Sequence, residues 1–328
     1  MIAAALVTQP VSIFFIVLVI ILLAPLLLNR LKIPHIIGMI VAGVAVGPYG
    51  FDILSDDSSF AIFGQVGLLY LMFLAGLEID MFHLRLNLRR GLLFGLLTLS
   101  VPLLLGVAVS MAVMHLDLIT SLMLGAMYAA HTLISYPVAA RFGITKAPAV
   151  LIAIVGTIIA VTGSLLVIAT AVNINTEGYF NALAIAWLIL KMALWVGAVI
   201  FLYPRITRAF FKTYSDRVTQ YVFVLAMVFL AAWTAQLIGV EAVLGAFLAG
   251  IVLNRYVPHG SPLMTSIEFV GNALFIPYFL IGVGMMINLR VVVDPDTLVA
   301  AGMMLAVALA SKWIPAFIVQ LSLIHISE

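Results

Sequence analysis

Residues Ile36–Val46 read IIGMIVAGVAV, and residues Val243–Leu253 read VLGAFLAGIVL, 207 positions later. A second pair follows in the same order: FLAGLEI (Phe73–Ile79) resembles FLIGVGM (Phe279–Met285) at an offset of 206. Either match alone is weak, because small-residue AG pairs are common in packed membrane helices. Two ordered matches at nearly one offset indicate an internal repeat, and the repeat decides the fold.

Composition says what is being repeated. Hydrophobic residues make up 65% of the 328-residue chain, charged residues 9%, and the mean hydropathy is +1.29. A soluble domain would be roughly a quarter charged. Long apolar runs with so few charges describe an all-α polytopic membrane protein, since backbone polar groups in lipid must be satisfied within each helix. With no cysteine, disulfides and thiolate metal sites are excluded. The first apolar segment lacks a basic leader and runs into LLLNRLKIP, so it reads as a retained helix.

Eleven apolar segments are counted, at about 11–28, 34–48, 60–80, 91–114, 118–141, 147–172, 180–203, 219–239, 241–254, 264–288 and 297–321. The second and ninth are short for a straight span of about 20 residues. Lys and Arg fix the orientation. Twelve lie in one set of loops, from Arg30 and Lys32 through Arg85–Arg90 and Arg205–Arg217 to Arg255. The other set holds Arg290 alone, with Asp52, Asp56, Asp57, Asp117, Glu177, Asp294 and Asp296. The N-terminus is therefore expected outside a cell membrane. The repeat relates the second helix to the ninth and the third to the tenth. A shift of seven helices is odd, so the halves are expected to enter the membrane in opposite directions, with a site near the midplane between them.

The expected organisation is one integral membrane transport domain over 1–328. Repeat 1 covers about 11–172, a linker helix about 180–203, and a shortened repeat 2 about 219–321. Helices five and six have no partners after helix eleven, so the chain is expected to be about eleven helices of thirteen. The terminal LSLIHISE has no evident structural role.

Four stretches make the chain resemble the cation:proton antiporter-2 family, including Kef-type and sodium/proton exchangers. They are IPHIIGMIVAGVAVGPYG (Ile33–Gly50), LYLMFLAGLEID (Leu69–Asp80), VLGAFLAGIVLN (Val243–Asn254) and FIPYFLIGVGMMINL (Phe275–Leu289). The resemblance covers essentially the whole chain. It implies a thirteen-helix inverted-repeat cation/proton antiporter fold with a dimerisation layer and a mobile core. It further implies alternating access, exchange of Na+ or K+ for H+, and homodimers in the lipid bilayer. No cofactor is implied, no metal beyond the transported cation, and no nucleic acid. Phosphate loops, zinc-ligand spacings and hydrolase motifs are not found, which argues against an enzyme.

Candidate ion-path residues fall in three helices. Helix five carries HTLISYP, from His131 to Pro137. Pro137 lacks an N–H and crowds the preceding turn, freeing a carbonyl. That carbonyl beside the Thr132 and Ser135 hydroxyls suits a hard cation; the alternative is a packing kink. His131 can carry a proton, or can sit neutral against a carbonyl. In helix six, GTIIAVTGSLL runs from Gly156 to Leu166. Similar antiporters place the ion-binding Asp where this chain has Val161. Thr157, Thr162 and Ser164 offer neutral oxygens only, which puts proton coupling in doubt. Lys312 in helix eleven lies roughly 21 Å from the outer end, and in similar antiporters a Lys there pairs with the helix-six Asp. Its alternative is snorkelling towards the headgroups past Pro315.

The leading expectation is a monovalent cation:proton antiporter. The alternative is a transport-deficient or channel-like protein that retains the fold, and an organic-anion symporter is a third possibility.

Overall fold

In a computed structural model, residues 9–29, 35–54, 58–79, 86–130, 147–177, 181–288 and 295–324 are described. They form eleven helices. These are α1 (Pro10–Asn29), α2 (His35–Val46), α3 (Ser58–Leu77), α4 (Leu88–Ala112), α5 (Leu118–Ala129) and α6 (Pro148–Glu177), followed by α7 (Ala182–Thr213), α8 (Arg217–Leu237), α9 (Ala242–Leu253), α10 (Pro262–Met285) and α11 (Pro295–Ile324). Eight are long and apolar enough to cross a membrane, while α2, α5 and α9 are short. The chain is an all-α polytopic membrane protein.

The helices start where small polar side chains satisfy their unpaired N–H groups. Asp117 accepts from Thr120 N at 3.1 Å ahead of α5, and Asp216 from Thr219 N at 2.8 Å ahead of α8. Ser261 accepts from Met264 N at 3.1 Å ahead of α10, whose first residue is Pro262. Both aspartates are held below the ordinary carboxylate range by these bonds, chiefly the Thr120 hydroxyl for Asp117 and the Thr219 N–H for Asp216.

Two groups of helices emerge from the packing. One contains α1, α2, α3, α8, α9 and α10; the other contains α4, α5, α6 and α11, with α11 lying on α4. Helix α7 touches α6, α8 and α9. Its Tyr203 hydroxyl donates to Met227 O at 3.0 Å, and its Trp195 indole donates to Thr234 Oγ1 at 2.9 Å.

Within the first group, glycines let backbones touch, the usual source of cohesion between helices in lipid. Gly43 of α2 lies against Ile281 and Gly284 of α10, and Gly250 of α9 lies against Phe73 and Gly76 of α3. The two contacts are images of each other under exchange of the halves. Gly43 and Gly250 are 207 apart, whereas Gly76 and Gly284 are 208 apart. The α3–α10 contact is its own image, pairing Gly67 with Phe275, Tyr70 with Gly271 and Phe63 with Tyr278.

These contacts correct the second repeat match. The spatial register of α3 on α10 is 208 rather than 206, which aligns Tyr70 with Tyr278 and Gly76 with Gly284. The offset of 206 matched the FL pairs and the glycine of LIG. The packing instead selects the glycine that meets the neighbouring backbone, Gly284.

Directions follow from the same pairs. α2 runs parallel to α10, since Gly43 meets Ile281 and Gly47 meets Met285. α9 runs parallel to α3, since Gly250 meets Phe73 and Asn254 donates to the carbonyls of Leu77 and Ile79. α3 and α10 are antiparallel. Hence α2 and α9 point in opposite directions.

Candidate functional site

Helix α6 is where the two groups meet. Its Leu151, Ile154 and Val155 are buried in the same apolar cluster as Phe73 of α3 and Phe247 of α9. Further along the same helix, a small cavity of about 20 Å³ opens between α6, α3 and α9. That is room for roughly one water molecule or a bare monovalent ion. Thr157 and Val161 line it from α6, Met72 from α3 and Phe247 from α9.

Glu241 lines it too. This residue is exposed and precedes α9 in the tight turn from α8, and as a charge at a segment boundary it carries no motif that singles it out. Its side chain does not cap α9. The same Glu241 lines a second, wider cavity of about 610 Å³, bounded by Gln65 of α3 and by Trp233 and Gln236 of α8. Among the described residues, Glu241 is the only ionisable side chain lining either cavity. The repeat carried a usable signal. At the offset of 207, the first-half counterpart of Glu241 is Pro34, so an acidic residue stands where the other half has an imino acid.

The remaining candidates divide as follows. Val161 is buried and offers no polar atom. Thr157 is buried, and its hydroxyl bonds back to Ala153 O at 2.8 Å, so it presents a lone pair but no free proton. Thr162 is half-buried. The Ser164 hydroxyl is fully buried and has no hydrogen-bond partner among the described residues. His131, Thr132, Ser135 and Pro137 lie outside the described residues. What is described is the helix leading to them. α5 ends at Ala129, only 12 residues long, and Ala130 has extended backbone angles. At 1.5 Å per residue α5 spans about 18 Å, so it stops inside a bilayer core about 30 Å thick.

Lys312 meets that helix end. Its ammonium donates to Ala129 O at 3.1 Å. The C-terminus of a helix carries orphan carbonyls and the negative end of the helix dipole, which favours a cation. The resemblance points to helix six for the partner of Lys312, and the structure supplies a carbonyl of α5. Of the other charged residues, Lys191 on α7 stands 5.7 Å from the Trp187 ring centre.

Comparison with known proteins gives a consistent answer. The sequence profile of the transmembrane region of sodium/hydrogen exchangers matches residues 17–327. The chain is 38% identical over 284 residues to the Na+/H+ antiporter NhaS5 of Synechocystis sp., covering 86% of this chain and 40% of that protein. It is 29% identical to the probable Na+/H+ antiporter 3 of Methanocaldococcus jannaschii, over 93% of this chain and 79% of that one. It is 24% identical to the Na+/H+-K+ antiporter GerN of Bacillus cereus, over 84% and 72% respectively. These relatives are antiporters rather than enzymes. With the match extending over nearly its whole length, the chain belongs to the sodium/hydrogen exchanger family.

Proposed function

We propose that the chain is the transport domain of a monovalent cation:proton antiporter that exchanges Na+ or K+ for H+ by alternating access. The observation that carries this is the ion-sized cavity formed jointly by α6 from one helix group and by α3 and α9 from the other. A site at such a junction opens to one side or the other when the groups shift relative to each other. The group of α4, α5, α6 and α11 is the moving part in this reading, and the glycine-packed group of α1–α3 and α8–α10 is the support. α5 ends at Ala129 and is capped there by Lys312 within the moving group, and helix ends inside the membrane are where transporters bind ions. The N-terminus lies outside a cell membrane, as the loop charges favour, and the protein works as a homodimer. Relatives named for Na+ alone and for Na+ with K+ leave both ions as substrates to be tried.

A second reading is supported by Val161, an apolar side chain where similar antiporters carry the ion-binding Asp. It is a fold-retaining protein without proton coupling. Proteoliposomes of the full-length protein with a pH-sensitive dye separate the two. The antiporter moves protons when a Na+ or K+ gradient is imposed. Passive cation flux without proton movement, or no flux, overturns the antiport reading.

A further inference from the structure

We propose that Glu241 is the cation- and proton-carrying carboxylate of this chain, in a site shared with Thr157 and the wall formed by Val161. The inference deepens the antiport reading above. It places the exchanging group on the α8–α9 turn instead of on α6.

Two observations support it. First, Glu241 lines both cavities, the wide one of about 610 Å³ and the narrow one of about 20 Å³. A cation entering the wide cavity past Gln65 and Gln236 would meet this carboxylate. Second, Glu241 is committed to nothing else. Its side chain makes no hydrogen bond or ion pair among the described residues, and it leaves the N–H groups of α9 uncapped.

The surroundings suit a group that alternates between proton and cation. The linings contributed by α3, α6, α8 and α9 add amide, hydroxyl and apolar groups but no second ionisable side chain. The cation on the neighbouring helix α7, Lys191, lies over Trp187. With one carboxylate, the balance is simple. The protonated acid gives up its proton as Na+ or K+ arrives, and the ion leaves as the proton returns, so the site holds one positive charge at a time. Thr157 Oγ1 supplies a neutral oxygen on the opposite wall.

The test measures binding separately from transport, using the purified full-length protein. Radioactive sodium and rubidium binding is measured across pH for wild type, Glu241→Gln, Glu241→Asp and the control Glu268→Gln. Wild type and Glu268→Gln should bind one of the two ions with competition by protons. Glu241→Gln should bind roughly tenfold or more weakly and lose the pH dependence, and Glu241→Asp should retain both. Should Glu241→Gln misfold, dicyclohexylcarbodiimide replaces it. Glu241 of wild type should be modified, and the transported cation should protect it. Binding unchanged in Glu241→Gln overturns the inference, as does a wild type that binds neither ion or a Glu241 that no cation protects. Dye-reported exchange with intact binding in Glu241→Gln leaves antiport standing and removes Glu241. Glu241-dependent binding without exchange does the reverse.

Discussion

Replacing Lys312 with Met tests how the C-terminal end of α5 is held. The ammonium donates to Ala129 O at 3.1 Å, and its loss has two opposed effects. A hydrogen bond from a charged donor contributes about 1.5–3 kcal/mol, and a cation at a helix C-terminus adds about 0.3–1 kcal/mol. Against this, a Lys at membrane depth costs about 2.5–3.5 kcal/mol on insertion scales. The sums nearly cancel, so global stability should change by no more than about 1–2 kcal/mol. The local effect does not cancel. The last turn of α5 loses its charged donor, a local cost of about 1.5–3 kcal/mol.

That penalty is readable as local opening. Hydrogen exchange in the last turn of α5 should speed up by about ten- to a hundredfold in Lys312→Met. Exchange in α8 and α9, which belong to the other helix group, should not change. The melting temperature in detergent should stay close to wild type. Lys312→Arg keeps a donor and should stay near wild type in both measurements. Unchanged exchange at 118–129 would show that the ammonium does not cap this helix. A collapse of global stability would show instead that Lys312 supports the packing of α11 on α4.

Three further outcomes follow from the packing and the caps. Gly250→Val drives a side chain into Phe73 and Gly76 of α3, so it should destabilise the protein by about 1–3 kcal/mol in thermal unfolding. Gly302→Val, which meets open space, should not. Asp216→Ala should lower the melting temperature, because α8 loses its N-terminal acceptor. The folded-state value of Asp216 is depressed below the ordinary 3.8, so its contribution is full above that value and is lost as pH falls through the lower folded one. The gap between wild type and variant should therefore close on acidification below about that point. Val161→Asp places a second carboxylate on the wall of the cavity that Glu241 lines. It should create or strengthen cation-dependent proton movement in proteoliposomes. If wild type already exchanges vigorously and this variant leaves it unchanged, Val161 lies off the ion path, and His131→Gln is the next substitution to assay.

The sequence was legible where lipid imposes its own rule. Each apolar run had to become a helix, so eleven segments corresponded to eleven helices among the described residues, and the two shortest runs became α2 and α9. Contacts between helices obey a finer rule that composition does not carry. Gly282 and Gly284 look alike in a repeat alignment, yet it is Gly284 that meets the backbone of Gly43, and this moves the register of α3 on α10 by two residues. Lys312 was visible as a charge at depth, but its acceptor is a backbone carbonyl, and carbonyls have no letter in a sequence. Glu241 was hidden for a different reason. Charges at segment boundaries read as loop residues, and Glu241 opens an apolar run immediately after another ends. Only the packing of α9 against α3 and α6 shows that this boundary residue lines a cavity between the helix groups.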